Sequence, residues 1–208
     1  ATIVKSDPSR KVAVIGAGNI GGGLVRAWTK AGHSVTVGVR SPNDEVLALA
    51  KETGARIATP AEAVAANDVI TIAIPAQAVE AFAAGSSFAG KLVIDCTNHV
   101  GPGFSLSYGH TTSWAEELAK KLSGAKVFKS FNAQGAENLA TPVYASGSAA
   151  NFFCGDDAAG REVVSQLVRD VGFEPVFAGP LKQARVLEPM MMLWVTAART
   201  AGKRAMGF

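Results

Sequence analysis

The 208-residue chain has 20 Lys and Arg residues against 17 Asp and Glu residues, which gives a formal net charge of +3. Its 48% hydrophobic content excludes a disordered chain, and the small, dispersed positive charge argues against a nucleic-acid-binding protein. The 2 Cys and 3 His residues lack metal-ligand spacing, and the apolar runs are shorter than the roughly 18 residues of a membrane span. We therefore expect a cytoplasmic protein with reduced thiols, no metal site and no membrane segment.

Short β-branched segments alternate with helical segments along the chain. Strands are predicted at Lys11–Ile15, Ser34–Val39, Arg56–Ala58, Asp68–Ile74, Leu92–Cys96, Lys126–Phe131, Asn151–Cys154 and Pro175–Ala178. Helices are predicted at Ile20–Ala31, Asp44–Thr53, Pro60–Ala65, Ala76–Ala84, Trp114–Leu122, Ala158–Val171 and Leu181–Lys203. Apolar strands separated by helices are typical of a parallel sheet covered on both faces. The pattern therefore predicts an α/β fold with a doubly wound parallel sheet of the Rossmann type.

The same order of elements divides the chain into three parts. Residues 1–10 are polar and are expected to form a flexible tail. Residues 11–140 are predicted to form a dinucleotide-binding Rossmann domain, followed by a small C-terminal α/β extension at residues 141–208. The last helix has more large apolar residues around Met190–Trp194 than one small sheet face needs. We therefore expect this segment to form a homodimer interface.

The join between the first strand and the first helix has the pattern of a phosphate-binding loop. Its residues are Gly16, Ala17, Gly18, Asn19, Ile20 and Gly21. The first glycine permits a tight turn, the second lets a pyrophosphate approach the backbone, and the third lets the helix pack against the sheet. Free N–H groups at the start of the helix favour the anion. The pattern predicts a dinucleotide site, and the alternative is an ordinary glycine turn.

The end of the second strand indicates which dinucleotide is bound. NAD-binding proteins usually place an acidic residue there to hold the ribose hydroxyls, whereas this chain has Arg40 followed by Ser41. A guanidinium can pair with the 2′-phosphate of NADP, and a serine hydroxyl can add a second donor. The sequence therefore favours NADP(H), unless Arg40 is only a solvated loop charge.

Several motifs in the same order resemble the NADP reductases that use the deazaflavin coenzyme F420. They are Gly16–Gly21, Gly38–Arg40, Ile72–Pro75, Ile94–Asn98, Phe128–Asn132, Cys154–Asp157, Ala178–Leu181 and Ala184–Glu188. The resemblance extends over residues 11–200 and is shared with the cytosolic reductase domain of membrane ferric reductases. It departs from the family pattern at Val39, Asp44 and Ala76. The last of these leaves a plain flavin as an alternative acceptor.

The resemblance implies hydride transfer between NADPH and a deazaflavin or flavin ring, a small-molecule acceptor. Such chemistry is carried by the cofactors, so we assign no catalytic acid or base. The family pattern places Ala17, Asn19 and Ile20 along the pyrophosphate, and Arg40 and Ser41 at the 2′-phosphate. It places Ile74, Pro75 and Ala76 beside the nicotinamide ribose, and Asn98 near the ribose or nicotinamide. Asn132, Ala133 and Gln134 lie around the nicotinamide in this pattern, with backbone groups facing its carboxamide, and Leu181 and Arg185 lie beside the acceptor.

Two other functions stay open. One is an NADPH-dependent dehydrogenase or imine reductase acting on a small organic substrate, although such enzymes commonly add a large helical domain. The other is a non-catalytic NADPH sensor. Among single residues, Glu188 lies in a largely apolar stretch, and a buried carboxylate needs a partner. Arg185, three residues earlier on the same helical face, is the predicted partner.

Overall fold

The computed structural model describes residues 8–208, so most of the tail predicted at residues 1–10 lies outside the described residues. The strands are β1 (Lys11–Ile15), β2 (Ser34–Gly38), β3 (Arg56–Ala58), β4 (Val69–Ile72), β5 (Leu92–Asp95), β6 (Val100–Gly101), β7 (Ser105–Leu106), β8 (Lys126–Lys129), β9 (Val143–Tyr144), β10 (Gly147–Ser148), β11 (Ala150–Gly155) and β12 (Glu174–Phe177). The helices are α1 (Asn19–Lys30), α2 (Asp44–Thr53), α3 (Pro60–Ala66), α4 (Val79–Ala83), α5 (Trp114–Lys121), α6 (Glu137–Ala140), α7 (Ala158–Val171) and α8 (Ala184–Ala201).

Eight strands form the central sheet, in the order β12-β11-β8-β5-β4-β1-β2-β3. Alternate residues of β1 enter the two separate cores that cover the faces of this sheet. Val12 and Val14 pack with α1, α2 and α7, whereas Ala13 and Ile15 pack with α3, α5 and α8. The doubly wound, Rossmann-type α/β fold predicted from the sequence is therefore confirmed.

The two strands β11 and β12 run antiparallel to the other six strands of the sheet. Cys154 pairs with Lys129 in an antiparallel ladder, while β11 and β12 pair with each other in parallel. The physical reason lies in the connection after β8. The chain returns through the short helix α6 and the hairpin β9–β10 instead of through a crossover helix, so β11 enters the sheet in the opposite direction.

The predicted helix starts depend on local caps that the structure contains. Thr59 and Glu62 form a complete capping box in front of α3, with Pro60 in the first turn. Ser113 accepts a hydrogen bond from the backbone N–H of Glu116 at the start of α5. These short-range contacts explain why the two helices begin where the sequence predicts.

Other boundaries differ from the prediction. The helix expected at 76–84 is a 3-10 turn at Ala76–Ala78 followed by α4, and the helix expected from Leu181 begins with a 3-10 turn before α8. The segment between β5 and α5, in which no strand was predicted, contains the hairpin β6–β7. Both Cys side chains are buried and unpaired, as expected. No helix in the described part of the chain is long and apolar enough to cross a membrane.

Candidate functional site

The glycine loop at the end of β1 has the geometry of an anion site. Gly16 has a φ of +94°, and a Cβ there would lie 2.6 Å from the backbone oxygen of Ala73. A Cβ on Gly21 would lie 2.1 Å from the oxygen of Gly16. Neither position therefore accommodates a side chain, because the obstructing atoms belong to the backbone.

Gly18, by contrast, faces open space, since a Cβ there would meet nothing within 4 Å. It is the N-cap of α1, it provides no side-chain hydrogen bond, and the first turn of α1 has no acidic residue. The first N–H groups of this 12-residue helix are thus available to an anion in front of the loop. Asn19 is exposed beside Gly18, and Ala17 and Ile20 are half-buried.

A cavity of about 760 Å³ joins this loop to the ends of β2 and β4. Its lining includes Gly16, Gly38, Arg40, Ser41, Ile74 and Pro75. Parallel strands that end at one edge of a sheet bring their following loops together, which explains how residues so far apart in sequence meet. Ala76 is not among the lining residues, because it is buried in the core beside α5.

A larger cavity, of about 1080 Å³, follows the outer side of α1 and also touches Ala17, Gly18 and Asn19. It extends towards α6 and the end of α7, away from Arg40. The glycine loop therefore borders both cavities, with Gly16 and Arg40 on the smaller one and Gly18 on the larger one.

Two asparagines join the ends of β5 and β8. Asn98 donates from Nδ2 to the backbone oxygen of Asn132 at 2.9 Å, and Asn132 donates from Nδ2 to Oδ1 of Asn98 at 3.0 Å. The same Nδ2 donates to the backbone oxygen of Leu187 in α8 at 2.9 Å. These bonds fix three segments of the chain around one point at the carboxyl edge of the sheet.

The segment after β8 also carries two side-chain atoms that are shielded from solvent and have no partner among residues 8–208. They are Oδ1 of Asn132, an acceptor, and Nε2 of Gln134, a donor. The side chain of Ala133 between them is half-buried. A buried polar atom is normally hydrogen-bonded, and neither Asn132 nor Gln134 lines either of the two cavities described above.

Backbone strain precedes this segment. Phe131 has a φ of +58°, which is uncommon for a residue with a bulky side chain. Its ring is buried and makes an edge contact with Trp28, with a centroid distance of 5.9 Å. This packing holds the strained backbone, and the turn directs the chain from β8 into Asn132.

A buried ion cluster lies beneath the two asparagines, and the sequence analysis did not predict it. The Lys129 ammonium is fully buried and donates to Oδ2 of Asp95 at 2.6 Å and to the backbone oxygen of Thr97 at 2.6 Å. Glu188 Oε1 is the third partner, at 3.0 Å. Burial lowers the pKa of Lys129, but the attraction of the Asp95 and Glu188 carboxylates outweighs that effect and raises the pKa above its usual value.

The predicted pairing of Arg185 with Glu188 is wrong. The Glu188 carboxylate accepts hydrogen bonds from the backbone N–H groups of Trp114, at 2.9 Å, and Ala115, at 3.0 Å, in addition to its contact with Lys129. The turn of α8 directs Glu188 inward, where it is 1% exposed, while Arg185 lies nearer the surface. Sequence spacing placed both on one helix but could not reveal these distant partners.

Arg185 pairs instead with Glu116 of α5. Its Nε and Nη2 each lie 2.8 Å from a different carboxylate oxygen, a bidentate arrangement. This hydrogen bonding to Arg185 lowers the pKa of Glu116, and burial opposes the shift. Leu181, the other residue predicted beside the acceptor, is 7% exposed and packs in the core beside α5. The structure therefore shows Arg185 in an ion pair and Leu181 in the core.

Three comparisons relate this geometry to known proteins. Residues 11–99 match the family model described as NADP oxidoreductase coenzyme F420-dependent. The metalloreductase STEAP3 of Rattus norvegicus is 30% identical over 203 residues, which make up 93% of this chain and 38% of that protein. A candidate F420-dependent NADP reductase from Arthrobacter sp. FB24 has a TM-score of 0.85 at 25% identity, covering 94% of this chain and 96% of that chain.

The fold is shared more widely. A reductive aminase from Aspergillus terreus, solved in complex with NADPH and ethyl levulinate, has a TM-score of 0.69 at 23% identity. That comparison covers 94% of this chain and 64% of the aminase. The chain thus spans about two fifths of the curated metalloreductase and under two thirds of the aminase.

Proposed function

We propose that this protein is an NADPH-dependent reductase that delivers hydride to a deazaflavin or flavin ring, and the match of residues 11–99 to the family model of F420-dependent NADP oxidoreductases supports this. The observation that carries the proposal is the cavity that joins the turn at Gly16 to Arg40 and to Ile74. It offers a guanidinium for a 2′-phosphate. The N-terminus of α1, which follows Gly16 in the chain and borders the larger cavity through Gly18 and Asn19, is available for a pyrophosphate.

The residues at the carboxyl edge of the sheet fit a nicotinamide. A carboxamide has one amino group that donates and one oxygen that accepts. The unpaired Asn132 Oδ1 and Gln134 Nε2 are the complementary acceptor and donor. The family resemblance predicted contact through backbone groups of residues 132–134, whereas the unpaired atoms point to the side chains. Pairing them with a ligand would remove the cost of burying them alone.

When bound, NADPH supplies the hydride, so the chain's own residues are needed to bind, align and exclude water. Asn98 and Asn132 keep the end of the site rigid through their mutual hydrogen bonds. Ile74 and Pro75 supply an apolar wall next to the glycine loop. The ring acceptor then lies over the edge formed by these residues, on the side of α8.

Isotope transfer tests the reaction. NADPH carrying deuterium at nicotinamide C4 is mixed with the protein and oxidised F420, and the reduced deazaflavin is examined by mass spectrometry. Direct transfer places the label on deazaflavin C5, which exchanges slowly with water. A flavin would lose the label from its ring nitrogen, so the deazaflavin experiment tests direct transfer, and flavin turnover is followed by absorbance.

The matched control is Gly18→Val, in which a branched side chain fills the space before α1 while the surrounding fold has room for it. This variant should transfer no label. NADPH oxidation with a small imine or carbonyl, and with neither ring, would contradict the proposal and favour the imine reductase alternative. NADPH binding with none of these acceptors reduced would instead favour a sensor.

A further inference from the structure

We propose that the buried cluster of Lys129, Asp95 and Glu188 is a positioning element for the nicotinamide end of the site. It acts through Asn98 and Asn132 and touches neither the cofactor nor the acceptor. The inference rests on the proposed function, because it concerns the alignment of the nicotinamide within that site.

Each hydrogen of the Lys129 ammonium has a hydrogen-bond acceptor. Its three hydrogens have three oxygen partners, contributed by β5, by the residue following Cys96 and by α8. The Asp95 carboxylate also accepts from the backbone N–H of Thr97, at 2.9 Å, and from its hydroxyl, at 2.6 Å. A buried charge network that is fully paired is rigid, because any displacement exposes an unpaired charge to a low dielectric.

The charge balance explains how two carboxylates and one ammonium coexist away from water. The cluster carries one surplus negative charge when all three groups are ionised. Glu188 is also the acceptor for the first two N–H groups of the eight-residue helix α5, at Trp114 and Ala115. The positive end of that helix's dipole offsets part of the surplus. The cluster therefore joins four elements, the strands β5 and β8 and the helices α5 and α8.

The amide contacts above the cluster use three of these segments, those following β5 and β8 and the start of α8. Lys129 holds the carbonyl of Thr97, whose neighbour Asn98 bonds to Asn132. Glu188 follows Leu187, whose carbonyl accepts from Asn132. Each ion contact thus lies within three residues of an amide contact on the same segment. The cluster consequently sets the separation of the segments, and the separation sets where the Asn132 side chain lies.

Glu188→Gln is the variant that tests this coupling. Glutamine keeps the size of the side chain but replaces one acceptor oxygen with an amino group. If its oxygen keeps Lys129 and the Ala115 N–H, the Trp114 N–H then faces a donor, and the carboxylate charge opposite Lys129 is lost. Asp95→Asn is a second, independent variant that removes one charge from the other side of Lys129. Leu167→Ala is the control, since it leaves a cavity in the core on the opposite face of the sheet.

Calorimetry with two ligands separates positioning from general loss of stability. NADP has both ends of the dinucleotide, while adenosine 2′,5′-bisphosphate keeps the 2′-phosphate and lacks the nicotinamide. For Glu188→Gln and Asp95→Asn we expect NADP affinity to fall by about tenfold, as for one lost hydrogen bond, with the affinity for the bisphosphate unchanged. In turnover, kcat should fall by about 100-fold and the deuterium isotope effect from labelled NADPH should rise.

Leu167→Ala should keep the wild-type ratio of the two affinities, whatever its melting temperature. Unchanged NADP affinity and kcat in both cluster variants would overturn the inference. A parallel loss for both ligands, shared by Leu167→Ala, would also overturn it, because the cluster would then act only through stability. A wild-type protein that binds NADP no more tightly than the bisphosphate would contradict the nicotinamide site itself, and so the proposed function.

Discussion

Asn98 and Asn132 hold each other from the ends of two neighbouring parallel strands, each donating one hydrogen bond to the other residue. This reciprocal contact exists within the protein's own residues and needs no ligand to form. Side chains fixed in advance lose little conformational entropy on binding. The edge of the sheet at these two asparagines is thus pre-organised, whereas Arg40 and Ser41 are exposed.

Arg40→Ala should change the preference between NADP and NAD. Loss of a charge-assisted contact to the 2′-phosphate is expected to weaken NADP binding by roughly 1.5–3 kcal/mol and to leave NAD binding nearly unchanged. Titration calorimetry with both cofactors measures the difference. An equal loss for both would mean that Arg40 is a solvated charge with no role in selecting the cofactor.

Two glycines of the same loop should respond in opposite ways to substitution. Gly18→Val should fold normally and lose NADP binding, since a Cβ has open space there and would occupy that of the pyrophosphate. Gly21→Val should lower the melting temperature strongly, because its Cβ would overlap the oxygen of Gly16. Circular dichroism melts and calorimetry distinguish the two effects. Retained NADP affinity in folded Gly18→Val would show that the loop has only a structural role.

The ion pair between Arg185 and Glu116 should contribute to stability in a pH-dependent way. Because the folded-state pKa of Glu116 is lowered, its contribution is present above the pKa of an unfolded glutamate, about 4.3. It is lost as the pH falls through the lower folded value. Arg185→Gln should therefore be less stable than wild type at neutral pH, with a difference that shrinks in acid.

Urea unfolding across a pH series measures this difference. Lys182→Gln removes a charge of the same sign from an exposed position close by in the chain and should follow the wild-type profile. A stability difference for Arg185→Gln that stays constant down to strongly acidic pH would show that the guanidinium acts through packing.

The expected homodimer can be tested at two exposed apolar residues of α8. Val186 is 56% exposed and Leu193 is 60% exposed, one nearly two turns after the other on the helix. We predict that wild type is a dimer in light scattering at micromolar concentration, and that Val186→Lys combined with Leu193→Lys gives a folded monomer. Leu47→Lys, at an exposed apolar position on α2, is the control and should stay dimeric. A monomeric wild type would disprove the prediction.

Local features were predictable because their causes are local. The strand, turn and helix around Gly16 and Gly21 follow from residues next to one another, as does the start of α3 at Thr59. The direction of β11 was not predictable, because it depends on the path of a connection containing α6 and a short hairpin. Neither element has enough residues to give a periodic pattern.

In the candidate site, too, some residues were predictable and others were not. The place of Arg40 beside the cavity at Gly16 could be predicted because it follows from its position at a strand end. Lys129 could not, since Asp95 lies 34 positions away in the chain and Glu188 lies farther along still. A lysine at the end of an apolar strand suggests a solvated charge, and only the folded arrangement reveals its two carboxylates. For Arg185 the error was the opposite. Glu188, close in the sequence, was predicted as its partner, whereas its partner in the structure is Glu116 on another helix.

The buried cluster also constrains how this protein can evolve. Losing any one of Asp95, Lys129 and Glu188 leaves the remaining charges unpaired in a low-dielectric interior, which destabilises the fold. Replacing an entire buried ion network with apolar residues can instead be neutral or stabilising. A series of single substitutions from the ion network to an apolar core would therefore pass through a destabilised variant. We expect the three positions to change together or not at all among descendants of this sequence, so that they form one inherited unit despite their distance along the chain.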